Sequence, residues 1–242
     1  MQNVSSPRFD DSSGCGRLWG AVPDILEIAT PHGPARAQLR LIGDSRAALV
    51  LGHGAAGGVT APDLVAATRA AHVAGVSVVL VEQPYRVAGR RSPAPAAQLD
   101  AAWTAVLAEL GAGVLAGLPH VAGGRSSGAR VACRTAAATG AAGVLCLAFP
   151  VHPPGRPEKS RLDELNAVGV PVLVIQGERD PFGVPPAARG RTVVTIAGDH
   201  GLKADRGALE AAVTAWLHGG WLSSTRGSRR RARAPRGDRS TD

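Results

Sequence analysis

The residues of this 242-residue chain best suited to chemistry are Ser126, Asp180 and His200, met in that order along the sequence. A serine hydroxyl is a weak nucleophile near neutral pH. It needs a base within hydrogen-bond reach and a third group to orient that base. Ser126 lies in Gly124-Arg125-Ser126-Ser127-Gly128, a G-x-S-x-G pattern. That pattern gains meaning where a strand turns sharply into a helix, because the turn raises the hydroxyl and leaves little room for neighbouring side chains. In a chain with 31 glycines the five residues alone are a weak signal. Asp180, in Gly177-Glu178-Arg179-Asp180, and His200, in Gly198-Asp199-His200-Gly201, each follow an apolar run. Glu178 and Asp199 stand beside them as rival acids, Asp180 has an alternative use as a cap for the turn before Pro181, and His200 is one histidine among seven. Serine, acid and histidine, each at the end of its own strand, would perform acyl transfer without a metal or cofactor.

Acyl transfer also needs donors for the developing oxyanion, each worth about a hundred- to a thousandfold in rate. The run Leu51-Gly52-His53-Gly54-Ala55-Ala56-Gly57-Gly58 resembles the His-Gly-Gly type of loop that provides one, which assigns the Ala55 N–H, paired with the N–H of Ser127. The same run fits G-x-G-x-x-G, and Glu82 closes the next strand where a ribose-binding acid would stand, so a dinucleotide-binding alternative exists. Two strands placed before the loop argue against it, since that fingerprint normally follows the first strand.

These residues need elements that bring them together. Ile25 to Thr30 and Ala35 to Ile42 read as a hairpin, the only antiparallel part of the sheet. Apolar strands follow at Ala47–Leu51, Val76–Val81, a short segment ending at Gly123, Val144–Phe149, Val172–Gln176 and Thr192–Ile196. Thr60-Ala61-Pro62-Asp63 has the form of a helix start with Thr60 as hydroxyl cap. Leu99, Trp103, Val106, Leu107 and Leu110 form the stripe of a long helix, and further helices are expected from Ser127 to about Ala138 and from about Gly207 to His218. Continuous apolar strands alternating with helices imply a mostly parallel, about eight-stranded α/β sheet covered on both faces. About twenty residues separate Phe149 from Val172, too few for a cap domain.

Composition narrows the partners. Hydrophobic residues make up 45% and aromatics only 3%, so the core must be aliphatic and Ala-rich. The net charge of +8 is concentrated at the end of the chain, where seven arginines from Arg226 to Arg239 face only Asp238 and Asp242. No aromatic residue interleaves them to stack bases, which makes nucleic acid an unlikely partner and a solvated tail the plainer reading. No apolar run is long enough to span a membrane, no signal-peptide pattern opens the chain, and the expected location is cytoplasmic. Cys15, Cys133 and Cys146 lack metal-ligand spacing and read as packing thiols. The chain therefore divides into a loose arm (1–22), one α/β domain (23–222) and a basic tail (223–242).

Three further runs carry a resemblance. Val151-His152-Pro153-Pro154-Gly155-Arg156-Pro157-Glu158-Lys159, Gln176-Gly177-Glu178-Arg179-Asp180-Pro181-Phe182-Gly183 and Gly198-Asp199-His200 are similar to a branch of the α/β-hydrolase fold related to dienelactone hydrolases. That branch includes testis-expressed hydrolase-like proteins and the hydrolase-like domain of a nonspecific-lethal chromatin complex subunit. The resemblance covers about residues 23 to 220 and implies Ser126 as nucleophile, Asp180 as acid and His200 as base. It also implies that some relatives serve as parts of assemblies, so a catalytically idle interaction domain is the rival expectation. On the catalytic reading, the substrate is a small soluble ester or thioester, with His53, Arg86, Arg125 and His152 as candidate binding residues. Arg86, Arg90, Arg91, Arg125 and Arg179 near the site raise the expectation of an anionic substrate, against the plainer reading of solvated arginines.

Overall fold

The computed structural model describes residues 24–219. The arm and the tail of the sequence reading, with Cys15 and residues 23 and 220–222 of the expected domain, lie outside the described residues. Eight strands form one sheet in the order β1-β2-β4-β3-β5-β6-β7-β8. They are β1 (Asp24–Ile28), β2 (Ala35–Arg40), β3 (Ala48–Gly52), β4 (Ser77–Glu82), β5 (His120–Arg125), β6 (Gly143–Leu147), β7 (Val172–Gly177) and β8 (Arg191–Ile196). All pairs from β4 to β8 across the sheet are parallel. The antiparallel part extends beyond the expected hairpin, because β2 also pairs antiparallel with β4.

The strands from β3 to β7 are buried along nearly their whole length, the pattern of a sheet covered on both sides. On one face lie α1 (Pro62–Val73) and α6 (Arg206–Gly219), which bury Leu64, Ala67, Ala71, Leu209, Val213 and Leu217. On the other lie α3 (Ala96–Ala112) and α4 (Ser127–Thr139). The whole predicted stripe of α3 is buried, and Trp103 is its largest side chain. Two short helices, α2 (Pro84–Val87) and α5 (Leu162–Asn166), had no periodic signal because they span barely one turn. Thr60 does not cap α1. Ala61 occupies that position without a side-chain bond, and Pro62 starts the helix with its φ already suited to it.

Cys133 on α4 and Cys146 on β6 are buried with their sulfurs 3.5 Å apart. The hydrogen bond to Cys133, reinforced by burial, pushes the Cys146 thiol well above its usual range, which keeps it protonated and inert. Among the described residues no helix is long and apolar enough to cross a membrane.

From β3 the chain crosses to β4 on one side, and later to β5 on the other. The topology therefore reverses between β3 and β5, and open α/β sheets place a ligand crevice beyond the carboxyl ends of the strands at such a reversal. Gly52 and Gly124 are paired across this junction, so the loop after β3 and the turn after β5 meet there.

Candidate active site

The turn from β5 into α4 is built around Ser126, whose φ of 51° and ψ of −107° lie in a region that L-residues rarely occupy. Its N–H donates to the Leu147 carbonyl at 2.9 Å, so the strained residue is held by the neighbouring strand. The flanking glycines are required by contact. A Cβ at Gly124 or at Gly128 would lie 2.5 Å from the Gly52 carbonyl oxygen. The glycines of the pattern let the turn press against the end of β3.

Ser126, His200 and Asp180, 74 and 20 residues apart in sequence, form one chain of hydrogen bonds. Ser126 Oγ is 2.9 Å from His200 Nε2, and His200 Nδ1 is 2.8 Å from Asp180 Oδ2. A carboxylate only accepts, so in the neutral ring Nδ1–H donates to Asp180 and Nε2 accepts from the serine hydroxyl. Asp180 is 7% exposed and its Oδ1 accepts the Phe182 N–H at 2.8 Å. Glu178 and Asp199 are exposed, and Asp199 spends its Oδ1 on the Gly201 N–H. Neither rival acid reaches the histidine as Asp180 does.

Two residues of this site escaped sequence reasoning. Gln176, fully buried at the end of β7, donates from Nε2 to Asp180 Oδ2 (2.7 Å), and the same nitrogen lies 2.9 Å from the Gly183 carbonyl and 3.1 Å from that of Phe149. The signal was available, since Gln176 is the one polar side chain closing an otherwise apolar strand. Phe182 stacks on the His200 ring, with centroids 4.1 Å apart and planes 31° from parallel. The His152 N–H donates to the Phe182 carbonyl, so the His-Pro-Pro-Gly loop braces the acid loop through its backbone.

The four candidate substrate-binding residues separate. His53 is 3% exposed, with Nδ1 bonded to the Gly54 carbonyl and Nε2 accepting the Gln83 N–H. Burial lowers its pKa, and the two bonds specify a neutral ring that shapes the loop and has no nitrogen left for a substrate. His152 turns Nδ1 to the Pro153 carbonyl and packs against Gly183. Arg125 holds its Nε 2.7 Å from Asp63 Oδ2 in an ion pair and donates from Nη2 to the His200 carbonyl (3.1 Å), so its guanidinium is committed within the protein. Arg86, part-exposed on α2, is the one of the four whose charge is not tied up in this way.

The loop after β3 lies against the nucleophile turn. A Cβ at Gly54 would stand 3.7 Å from that of Ser126, and the Tyr85 hydroxyl donates to the Ala55 carbonyl at 3.1 Å. Ser127 is the first residue of α4, where an N–H has no acceptor within the helix. The dinucleotide alternative loses its physical basis here. Helix α1 begins at Pro62 and not at the glycines, and the buried Asp63 in its first turn puts a carboxylate where a pyrophosphate would need positive potential. Among the described residues no group of three or more His, Cys, Asp or Glu side chains is placed to hold a metal.

A parallel sheet with a strained serine elbow, and a histidine and a carboxylate on later strand ends, defines the architectural class of α/β-hydrolase proteins. Residues 45–209 match the family model described as alpha/beta hydrolase domain, and the chain belongs to that family. The fold is similar to a lidless α/β serine hydrolase from Xanthomonas campestris, with a TM-score of 0.65 and 24% identity over 84% of this chain and 98% of that one. It is also similar to a dienelactone hydrolase from Anabaena variabilis (TM-score 0.64, 16% identity, 84% and 98% covered). Est1E from Butyrivibrio proteoclasticus is comparable (TM-score 0.64, 16% identity, 80% and 97% covered). Comparison with curated protein sequences yields no match.

Proposed function

We propose that this protein is a serine hydrolase that cleaves ester or thioester bonds of small soluble substrates through an acyl-enzyme on Ser126. The observation that carries this reading is the unbroken hydrogen-bonded chain Ser126–His200–Asp180. His200 Nε2 takes the proton as Ser126 Oγ attacks the carbonyl carbon, and returns it to the leaving oxygen or sulfur as the tetrahedral adduct collapses. A water then repeats the sequence on the acyl-enzyme, releasing the acid and restoring the serine. Asp180 holds the ring in the tautomer that presents Nε2 and stabilises the imidazolium. The N–H groups of Ala55 and Ser127 receive the oxyanion.

Between β6 and β7 the only helix is α5, five residues long, so among the described residues no cap domain stands over Ser126. Such a site suits small or extended substrates, and Arg86 with the exposed Arg90, Arg91 and Arg179 favours those bearing an anionic group. The sequence runs around His152 and Phe182 support the finer placement, in the dienelactone-hydrolase-related branch.

Labelling with a fluorophosphonate probe tests the reading. Wild type should label and Ser126→Ala should not. Absence of labelling in wild type, or equal labelling of Ser126→Ala, leaves the fold as an interaction domain without turnover. Equal kcat/KM for short esters with and without a free carboxylate would remove the anionic preference alone.

A further inference from the structure

Arg125 touches two loops and the start of α1 where they meet at the candidate site. Its Nε is 2.7 Å from Asp63 Oδ2 in the first turn of α1, and its Nη2 donates to the His200 carbonyl at 3.1 Å. Its Nη1 lies 3.0 Å from where a Cβ of Gly54 would stand, in the loop after β3. The arginine precedes Ser126 directly, so the guanidinium joins the nucleophile turn to the loop that carries the base.

Asp63 explains why the guanidinium stays there. Its side chain is fully buried, and burial alone pushes its carboxyl above the usual range while Arg125 opposes that shift. A buried carboxylate must be paired, and no other cation is bonded to it among the described residues. The guanidinium is planar and presents several donors in a rigid fork, so one edge can hold Asp63 while another nitrogen holds the His200 carbonyl. A lysine ammonium has no such fork.

We infer that Arg125 is a positioning residue for the base: held by Asp63, it pins the backbone of His200 so that Nε2 stays within reach of Ser126 Oγ. This rests on the catalytic reading above. The Asp180 bond fixes one side of the ring, and the Arg125 bond holds the backbone of the same residue. Displacement of a reacting group by about 1 Å can cost on the order of a hundredfold in rate.

Arg125→Lys and Arg125→Met are compared with wild type by steady-state hydrolysis of p-nitrophenyl acetate and by the second-order rate of fluorophosphonate labelling. Arg125→Lys keeps a cation beside Asp63 and so preserves folding. It should lower kcat and the labelling rate by about tenfold or more, with KM within about twofold and an unchanged melting temperature. Arg125→Met should lose at least as much, and millimolar guanidinium added to it should restore part of the labelling rate. A purely structural arginine gives a different result, in which lost activity follows the lost folded fraction, and Arg125→Lys then works like wild type. Wild-type labelling rates in a folded Arg125→Lys overturn the inference and leave the hydrolase reading intact. A wild type that does not label overturns both.

Discussion

Gln176 shows how much of the candidate triad's order depends on one amide. Its Nε2 faces Asp180 Oδ2 and two backbone carbonyls in a fully buried setting, so its removal takes away two N–H donors that these acceptors share and leaves Asp180 Oδ2 with the His200 Nδ1–H alone. Gln176→Leu keeps the volume and deletes the donor. Each buried acceptor left unpaired costs about 1–3 kcal/mol, so the variant should unfold at clearly lower urea and hydrolyse p-nitrophenyl acetate more slowly, as Asp180 loses its orientation. Urea midpoints and kcat measured on both proteins check this. A Gln176→Leu protein matching wild type in both would mean that the Phe182 N–H and His200 suffice to hold Asp180. At this scale the sequence was informative about which groups come together, since Ser126, Asp180 and His200 were legible from type and order. It was misleading about the groups beside them. His53, His152 and Arg125 were read as facing a substrate because charged and aromatic side chains near a site look alike in one dimension, whereas the two histidines bond the carbonyls that follow them in the chain, His53 also takes the Gln83 N–H, and Arg125 pairs with Asp63.

Glycine has opposite value in two helices of the same fold. In an unobstructed helix alanine is the better residue by about 1 kcal/mol. Gly111, near the end of α3, has nothing within 4 Å of its missing Cβ, so Gly111→Ala should gain roughly 0.5–1 kcal/mol. At Gly128, in the first turn of α4, the added Cβ would meet the Gly52 carbonyl oxygen at 2.5 Å and the His53 carbonyl oxygen at 2.8 Å. Overpacking of that kind costs about 1–3 kcal/mol, which exceeds the helix-propensity gain. Gly128→Ala should therefore lower the unfolding free energy and displace the Ser127 N–H, slowing fluorophosphonate labelling. Chemical denaturation of the two variants should give shifts of opposite sign; a stabilised Gly128→Ala would contradict the packing described for the elbow. Element types and order were readable because apolar runs and the α3 stripe reflect burial directly. Thr60 was misread as a cap because a hydroxyl beside Pro62 fits the start of α1 in sequence, while Ala61 holds the position in space.

Across the whole molecule, burial lowers the pKa of His53, His72 and His120 alike. In the unfolded chain these rings take up protons near pH 6.5, and in the folded protein only at lower pH. Between those values the unfolded state binds more protons, so stability should fall as pH drops below about 6.5 and level off once the folded-state values are passed. Melting temperature measured from pH 8 to 5 should decline over the lower half of that range. His53→Gln should show a shallower decline, because it removes one of the three rings. A flat profile would contradict the lowering of these pKa values by burial. The sheet order and the β2–β4 pairing belong to this scale too, and sequence periodicity did not reach them, since apolar strands look the same whichever neighbour they take.

The sequence by itself determined the class of fold, an aliphatic core and an ordered serine, acid and histidine, because hydrophobic pattern and residue type are local properties. Only the tertiary structure decided that Asp180 and not Glu178 or Asp199 bonds His200, that Gln176 and Phe182 pack on that pair, and that Arg125 turns inward to Asp63 and the His200 backbone. Those assignments depend on distances of about 3 Å between groups up to 75 residues apart, which chain order does not encode.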